Sequence, residues 1–427
     1  MKRKSQEKGQ IIIILALGLV GILALTALAL DGSRVYNERR LDQSTADSAA
    51  LAGAGAAAQA MKDSLPSSFY CGSPLGATAS VAAVNAAVES AQADGVTLVI
   101  NDFSTGNGVQ VTCVKDIFAT YLDVRVMVTT EMATTFATVV GRDTLTTEVE
   151  ATARVFPKQP AAYGNAIVSL SNSCGNIGGI DFGGNVTVTV NKGGIWSNSC
   201  LEADGNSWVE LIGGGTASYY TAFGGDYPDN INVPPQKVTE KLPDLNIQAP
   251  VCSNAAYVNA PNSGTIYPGN YNGIFVNSKA TMTFEPGLYC LKGDFDANAK
   301  SIVWAENVTF FMQTGTLHFN GQAELHLFAP NCETIECGVP RAIRGLLMYF
   351  PPENQASFTL NGSSDNDYMG TIYAPSSNMK INGTSNSDTF NTQLIGNKVD
   401  FIGTAEMAMN LEGAELYQQP AWVELLL

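Results

Sequence analysis

The most apolar stretch of the chain runs from Ile11 to Leu30, where no residue is charged and only Thr26 is polar. At about 1.5 Å of rise per residue, a helix of this length spans about 30 Å, the thickness of a hydrocarbon core. The residues before it are mostly basic, and basic flanks stay in the cytoplasm. The pattern predicts a cytoplasmic tail (1–10) and a transmembrane helix (11–30). We therefore expect a single-pass protein of the cytoplasmic membrane, N-terminus inside, with its bulk periplasmic or extracellular.

A cleaved signal peptide is the alternative interpretation of this segment. Ala27-Leu28-Ala29 is similar to a cleavage site. The apolar stretch is longer than the usual 7–15 residues of a signal peptide, however, which favours a retained membrane anchor.

The residues after the apolar stretch predict that the helix continues. There is no proline from Ser33 to Met61, and alanine dominates after Ala46. Leu41 and the alanines alternate with charged residues in a way that is typical of an amphipathic helix. We therefore assign residues 31–64 to an amphipathic continuation.

Residues 65–160 predict a small α/β domain that ends near Pro157 and Pro160. Residues 77–94 have helical composition, and 132–140 could form a second short helix. Runs of β-branched residues predict strands, and the third of them alternates apolar and polar positions. These strands are expected at 96–100, 109–113, 122–128 and 145–155.

The second half of the chain contains a repeat of about 21 residues. Five asparagines carry it, most of them preceded closely by an apolar or aromatic residue: Asn277, Asn298, Asn320, Asn361 and Asn382. The Ala/Phe-Pro pairs at 329–330, 350–351 and 374–375 have a similar spacing. The Leu-x-x-Leu-x-Leu unit of leucine-rich repeats is absent, so the period favours a β-solenoid.

The predicted architecture for residues 161–427 is a large right-handed parallel β-helix of about 12 coils. In stacked coils, an asparagine at the same turn can bond its amide to those above and below. The Pro-rich stretch 226–250 interrupts the repeat and is expected to form an extended strap. The fold class is therefore mixed: a transmembrane helix, a small α/β domain and a β-helix.

The N-terminal residues resemble those of TadE/TadG-like Flp (tight-adherence) pilus-assembly proteins. The resemblance covers about fifty residues and rests on Gly9-Gln10, the apolar run, Asp31-Gly32-Ser33-Arg34-Val35-Tyr36, Arg40-Leu41-Asp42-Gln43 and Ala46-Asp47-Ser48-Ala49-Ala50-Leu51-Ala52-Gly53-Ala54. It implies a membrane-anchored accessory protein with a pilin-like small domain, and pilus-assembly proteins as partners. Ile14 stands where pilin precursors carry glutamate, which speaks against processing after Gly9.

The charge balance argues against a nucleic-acid partner. The chain has a net charge of -16, and the residues after Leu30 alone carry -19. So acidic a surface repels phosphate backbones.

Eight cysteines in an extracytoplasmic chain indicate disulfides. We expect four pairs: Cys71–Cys113 in the small domain, Cys174–Cys200 and Cys252–Cys290 between neighbouring coils, and Cys332–Cys337 around a tight insert. There is no Cys-x-x-Cys motif, so zinc or redox chemistry is not favoured.

Residues that could carry catalysis are sparse, so we expect no enzyme, cofactor, metal site or small-molecule substrate. His318 and His326 lie between core leucines or phenylalanines and are expected outside. Asp367 and Asp388 are one repeat apart and are expected to face water rather than share Ca²⁺.

Two other functions stay open beside that of an accessory protein that acts as spacer and interaction surface. A carbohydrate-binding adhesin would need a row of outward aromatics, for which Tyr289, Tyr349 and Tyr373 are the hints. A polysaccharide lyase or hydrolase would need clustered carboxylates, which only the 365–388 region offers.

Overall fold

The structure, a computed structural model, divides the chain into two compact units. It describes residues 10–426 except 63–68, 117, 244, 246, 333–336, 363–365, 384–387, 404–405 and 412. The first unit comprises Met1–Lys158 and Pro420–Leu427, and the second comprises Gln159–Gln419.

The first unit contains two helices and a five-stranded sheet. Helix α1 spans Gln10–Met61 and helix α2 spans Pro74–Ala93. Ser73 caps α2, because its hydroxyl accepts the Gly76 amide at 3.0 Å. In sheet order the strands are Val99–Ile100, Gly108–Lys115, Thr120–Ala133, Thr144–Phe156 and Trp422–Leu426. The first two are parallel and the others antiparallel.

The predicted short helix at 132–140 is wrong over its first half. The strand that begins at Thr120 continues to Ala133, because Met132 and Ala133 pair with Leu145 and Thr144. Only Ala137–Val140 forms a turn of 3₁₀ helix.

The end of the chain belongs to the first unit, which corrects the predicted β-helix boundary at 427. Trp422–Leu426 pairs with Thr144–Phe156 as an edge strand. The ring of Trp422 stacks on Phe156 with centroids 4.4 Å apart. Nothing in five residues with an aromatic start indicates that their partner strand lies in the first unit rather than in the repeat before them.

The second unit is a parallel β-solenoid of about ten turns, which confirms the predicted solenoid but not its 12 coils. Its strands stack on three faces. In stacking order, face A contains Gly269–Tyr271, Gly287–Leu291, Val308–Met312, Leu346–Tyr349, 371–374, 394–396, Asn165–Ser169, Gly194–Ser197, Ala217–Tyr219 and Gln236–Lys237. Face B contains, in the same direction, Ile274–Val276, Phe295–Ala297, Leu317–Phe319, Phe358–Gly362, 378–383, 398–403, Gly179–Phe182, Cys200–Ala203 and Ala222–Gly225. Face C contains Gly264–Ile266, Thr281–Phe284, Ile302–Ala305, Glu324–Phe328, 367–369, 388–390, Glu406–Asn410, Thr187–Asn191 and Trp208–Ile212. Asp367–Gly383 and Asp388–Gly403 are long strands that each pass around all three faces.

The chain begins the solenoid in its middle. Asn165–Ser169 pairs on one side with the next coil, Gly194–Ser197, and on the other side with 394–396 from the last coils. The chain therefore first forms about three coils that stack in one direction from Asn165–Ser169. The chain then crosses to the far end of the solenoid and coils back until it meets its own start.

The crossing segment is the predicted strap, at shifted boundaries. Residues 226–237 still complete a coil, because Ile231 bridges to Val209 and Gln236 pairs with Ser218. The strap proper runs over 238–263. Asn198 fixes its first part by exchanging two hydrogen bonds with the Leu242 backbone, at 2.8 and 3.2 Å.

The asparagine repeat occupies one turn of successive coils, at the end of each face B strand. Asn361 and Asn382 are directly paired in register, and Asn382 Nδ2 donates to Asn361 Oδ1 at 3.1 Å. Asn361 Nδ2 and Asn298 Nδ2 donate instead to the carbonyls of Phe319 and Val276 in the neighbouring coil. The ladder therefore combines side-chain pairs with bonds to backbone.

Candidate functional site: the docked N-terminal helix

Helix α1 has an apolar first half that packs on nothing among the described residues. Its most apolar window has a mean hydropathy of 2.8 and is 0% buried. Ile13, Leu17 and Leu28 are each more than 60% exposed. A continuous apolar surface of this length is stable in a bilayer rather than in water, so the helix fits a single-pass membrane anchor.

Asp31, the first residue after the apolar segment, ties α1 to the sheet domain. Its carboxylate accepts the backbone N–H groups of Thr135, Phe136 and Ala137 at 2.8–3.1 Å. It thereby caps the 3₁₀ turn at Ala137–Val140. Burial alone would raise the pKa of Asp31, but these three donors and the Arg34 guanidinium outweigh it and lower that pKa.

Asp42 makes a second polar attachment, three turns further along α1. It is 4% exposed, and it accepts the hydroxyl of Thr130 at 2.8 Å and that of Thr147 on the neighbouring strand. A buried carboxylate is tolerated only when such donors surround it. Asp31 and Asp42 therefore fix the rotation of α1 on the sheet.

Between α1 and α2 the contact is made almost wholly by small residues. The fully buried alanines are Ala46, Ala49, Ala50, Ala54 and Ala57 on α1, and Ala79, Ala83, Ala87 and Ala91 on α2. Gly53 lies in the closest part of the contact. A Cβ there would stand 2.8 Å from the Ala83 carbonyl oxygen and 2.9 Å from Val124 Cγ1. The alanine-rich sequence is thus a packing surface.

The segment that docks in this way has a recognised sequence pattern. Residues 9–58 match the family model described as "Putative Flp pilus-assembly TadE/G-like". The resemblance predicted from the sequence is confirmed for this segment, and it supports a role in Flp pilus assembly. Neither the curated proteins nor the solved structures contain a match to the chain.

The matched residues cover the apolar half of α1 and most of the half that packs on the rest of the first unit. Asp31, Asp42, Gly53 and the buried alanines of α1 all lie among them. The sequence marked these residues as a pattern, but it did not show that Asp31 binds the 3₁₀ turn and Asp42 the sheet. One signal in the sequence could have indicated the Asp42 contact, namely a carboxylate on the same side of the helix as the alanines.

All eight cysteines form disulfides in the structure, in the four combinations that the sequence predicted. Cys71–Cys113 lies in the first unit, and Cys174–Cys200, Cys252–Cys290 and Cys332–Cys337 lie in the β-solenoid. Cys252–Cys290 attaches the strap to a face A strand. Crosslinks of this kind fit an oxidising compartment.

The structure places the two histidines differently. His318 is exposed on face B, as predicted, with its Nε2 3.8 Å from Asp294 Oδ2. His326 points away from the core but is only 8% exposed, which corrects the prediction. The Trp304 ring stacks on it at 3.8 Å, and its two ring nitrogens lie 3.0 Å from carboxylate oxygens of Glu324 and Asp367.

The three tyrosines do not form an outward aromatic row. Tyr289 is fully buried, and its hydroxyl lies within 3.0 Å of the Ile266 and Glu285 carbonyl oxygens. Tyr349 and Tyr373 are 5% and 7% exposed. The prediction that these tyrosines could line a carbohydrate site is therefore wrong.

Residue 365 and the side chain of Asp388 lie outside the described residues, so the prediction that Asp367 and Asp388 face water one coil apart stays a prediction.

Proposed function

We propose that the protein is a non-catalytic structural component of Flp-type pilus assembly. The N-terminus lies in the cytoplasm, one helix crosses the membrane, and the β-solenoid outside acts as a spacer and contact surface for other assembly proteins. The observation that carries the proposal is the match over residues 9–58, whose residues include those that attach α1 to the rest of the first unit.

The first unit supports this proposal through its construction. A single helix is apolar in its first half, and in its second half packs on an antiparallel sheet. Pilin-type subunits are built in this way, so we infer a pilin-like role for the unit. Membrane attachment and side-on packing are then two functions of one continuous helix.

Localisation is the first test. The full-length protein should fractionate with membranes, and protease added outside should degrade the part after Leu30. Soluble protein that starts near Leu30 would contradict the anchor and favour a cleaved signal peptide.

Assembly is the second test. In a strain that lacks the protein, the wild-type chain should restore Flp pili counted by electron microscopy. A variant whose residues 11–30 are replaced by a cleavable secretory signal should be exported and folded, yet leave the strain without pili. Full restoration by the released form would show that anchoring is not part of the function.

A further inference from the structure

The outer surface of face B carries a groove that spans four successive coils. Its volume is about 540 Å³. Four outward side chains form its central row in strict register: Phe275 beside Asp296, Asp296 beside His318, and His318 beside Thr359. The row therefore runs along the solenoid axis.

Phe275 is the unusual member of the row. Its ring is 46% exposed, although Ile274 and Val276 on the same strand are buried in the core. The strand fixes the backbone of this residue, and the exposed face of its ring is a flat apolar surface. An aromatic surface beside a few polar groups is a common composition of ligand sites.

Polar groups held by backbone bonds lie in and beside the groove. Asn298 is held by its bond to the Val276 carbonyl, and Asp294 by the Thr316 amide at 2.8 Å. Partial burial raises the pKa of the Asp296 carboxyl, and Asp294 adds to this effect while His318 opposes it. The carboxylate of Asp296 in the groove and that of Asp294 beside His318 disfavour an anionic ligand.

We propose that this groove binds a neutral glycan that lies along the solenoid axis. The ring of Phe275 packs on the C–H face of one sugar, and Asp296, His318 and Thr359 bond hydroxyls of the sugars that follow. Successive coils repeat every ~4.8 Å, close to the length of one sugar unit in an extended chain. Successive positions of the row thus lie opposite successive sugars.

A peptide ligand fits the groove less well. Extended peptides bind by adding a strand to an open sheet edge. The groove floor is made of strands that already pair with one another, Ile274–Val276 through Phe358–Gly362. It offers side chains but no free backbone row.

Calorimetry with the full-length protein in nanodiscs tests the proposal. The probes are cellohexaose and chitohexaose as neutral glycans, and a galacturonic acid hexamer as the anionic one. We expect at least one neutral probe to bind and the acidic probe not to bind. Phe275→Ala should weaken binding about tenfold, the order expected for loss of an aromatic packing surface. Asp296→Asn should also weaken it.

Tyr267→Ala is the matched control, because Tyr267 is a 65% exposed aromatic of the same coil that does not line the groove. Its affinity should stay within about twofold of the wild type. Absence of binding by both neutral probes, stronger binding of the acidic probe, or an equal loss in both aromatic variants would overturn the proposal. These outcomes are independent of piliation, since none of the variants touches the anchor.

Discussion

Two neighbouring glycines of α1 should respond oppositely to the same substitution. A Cβ at Gly55 meets nothing within 4 Å, whereas a Cβ at Gly53 stands 2.8 Å from the Ala83 carbonyl oxygen. Both residues lie within the helix Gln10–Met61, so the change to alanine alters the helical propensity of each in the same way. The difference between the variants therefore isolates the packing around Gly53, against α2 and against Val124 of the sheet.

The expected magnitudes follow from this geometry. Glycine in a helix interior is less favourable than alanine by about 0.5–1 kcal/mol, so Gly55→Ala should stabilise the unit by about that amount. Gly53→Ala gains the same amount from helical propensity. Its Cβ would lie 2.8 Å from the Ala83 carbonyl oxygen, however, whereas ordinary van der Waals contact begins near 3.4 Å. The helices must separate by about 0.6 Å, and overpacking of this kind costs about 1–3 kcal/mol. We expect net destabilisation of up to about 2 kcal/mol.

Hydrogen exchange read by mass spectrometry is the suitable assay, because it reports on α2 separately from the β-solenoid. Amides of Pro74–Ala93 should exchange more slowly in Gly55→Ala and faster in Gly53→Ala than in the wild type. Equal protection in the two variants would refute the close helix contact, and with it the packing role of the alanine pattern.

Three further changes test other parts of the structure. The lowered pKa of Asp31 means that its stabilising effect is present above its ordinary pKa of 3.8 and is lost as the pH falls through the folded value. Protection factors, which correct for the intrinsic slowing of exchange in acid, should therefore fall on acidification for the Thr135, Phe136 and Ala137 amides in the wild type, but not in Asp31→Asn. Asn382→Leu removes the donor to the asparagine in the coil before it, and should lower the free energy of unfolding by about 1–3 kcal/mol. The exposed Asn254→Leu should leave it nearly unchanged in denaturant titrations, and equal effects would argue against the ladder. Replacing Cys252 and Cys290 with alanine should release the strap, so limited proteolysis should cut earlier within 238–263; an unchanged cleavage pattern would show that other contacts hold it.

The parts of the fold that could be predicted from the sequence are those marked by a repeat or by a short local pattern. The asparagine spacing predicted a solenoid because identical turns of a β-helix stack at one position per coil, and Asn361 and Asn382 do pair in register. The transmembrane segment depended only on length and lack of charge. The cysteine pairs were predicted from an extracytoplasmic location and from closeness along the chain, and all four form, although Cys252–Cys290 joins the strap to a coil rather than two neighbouring coils. Each of these signals is local or strictly repeated.

Contacts between residues that are far apart in the sequence could not be predicted. Trp422–Leu426 reads as one more strand, and its partner lies more than 260 residues earlier, at Thr144–Phe156. The groove around Phe275 was missed for a related reason. Alternation predicts that this side chain points outward, but only the stacked register shows that Asp296 and His318 adjoin it.

The start of the solenoid in its own middle explains why the strap exists. In a β-solenoid that runs from one end to the other, the first and last strands are separated by the whole stack. In this chain Gln159–Pro160 and Gln418–Gln419 pair with each other, so the chain enters and leaves the unit side by side. The strap makes this possible, because it carries the chain to the far end once, along the outside. Buried bonds close the junction: Gln393 Nε2 donates to the carbonyls of Ala161 and Asn165, and Thr371 Oγ1 donates to Gln393 Oε1. With its two ends adjacent, the solenoid is an insertion in the chain between two neighbouring strands of the first unit's sheet, Thr144–Phe156 and Trp422–Leu426.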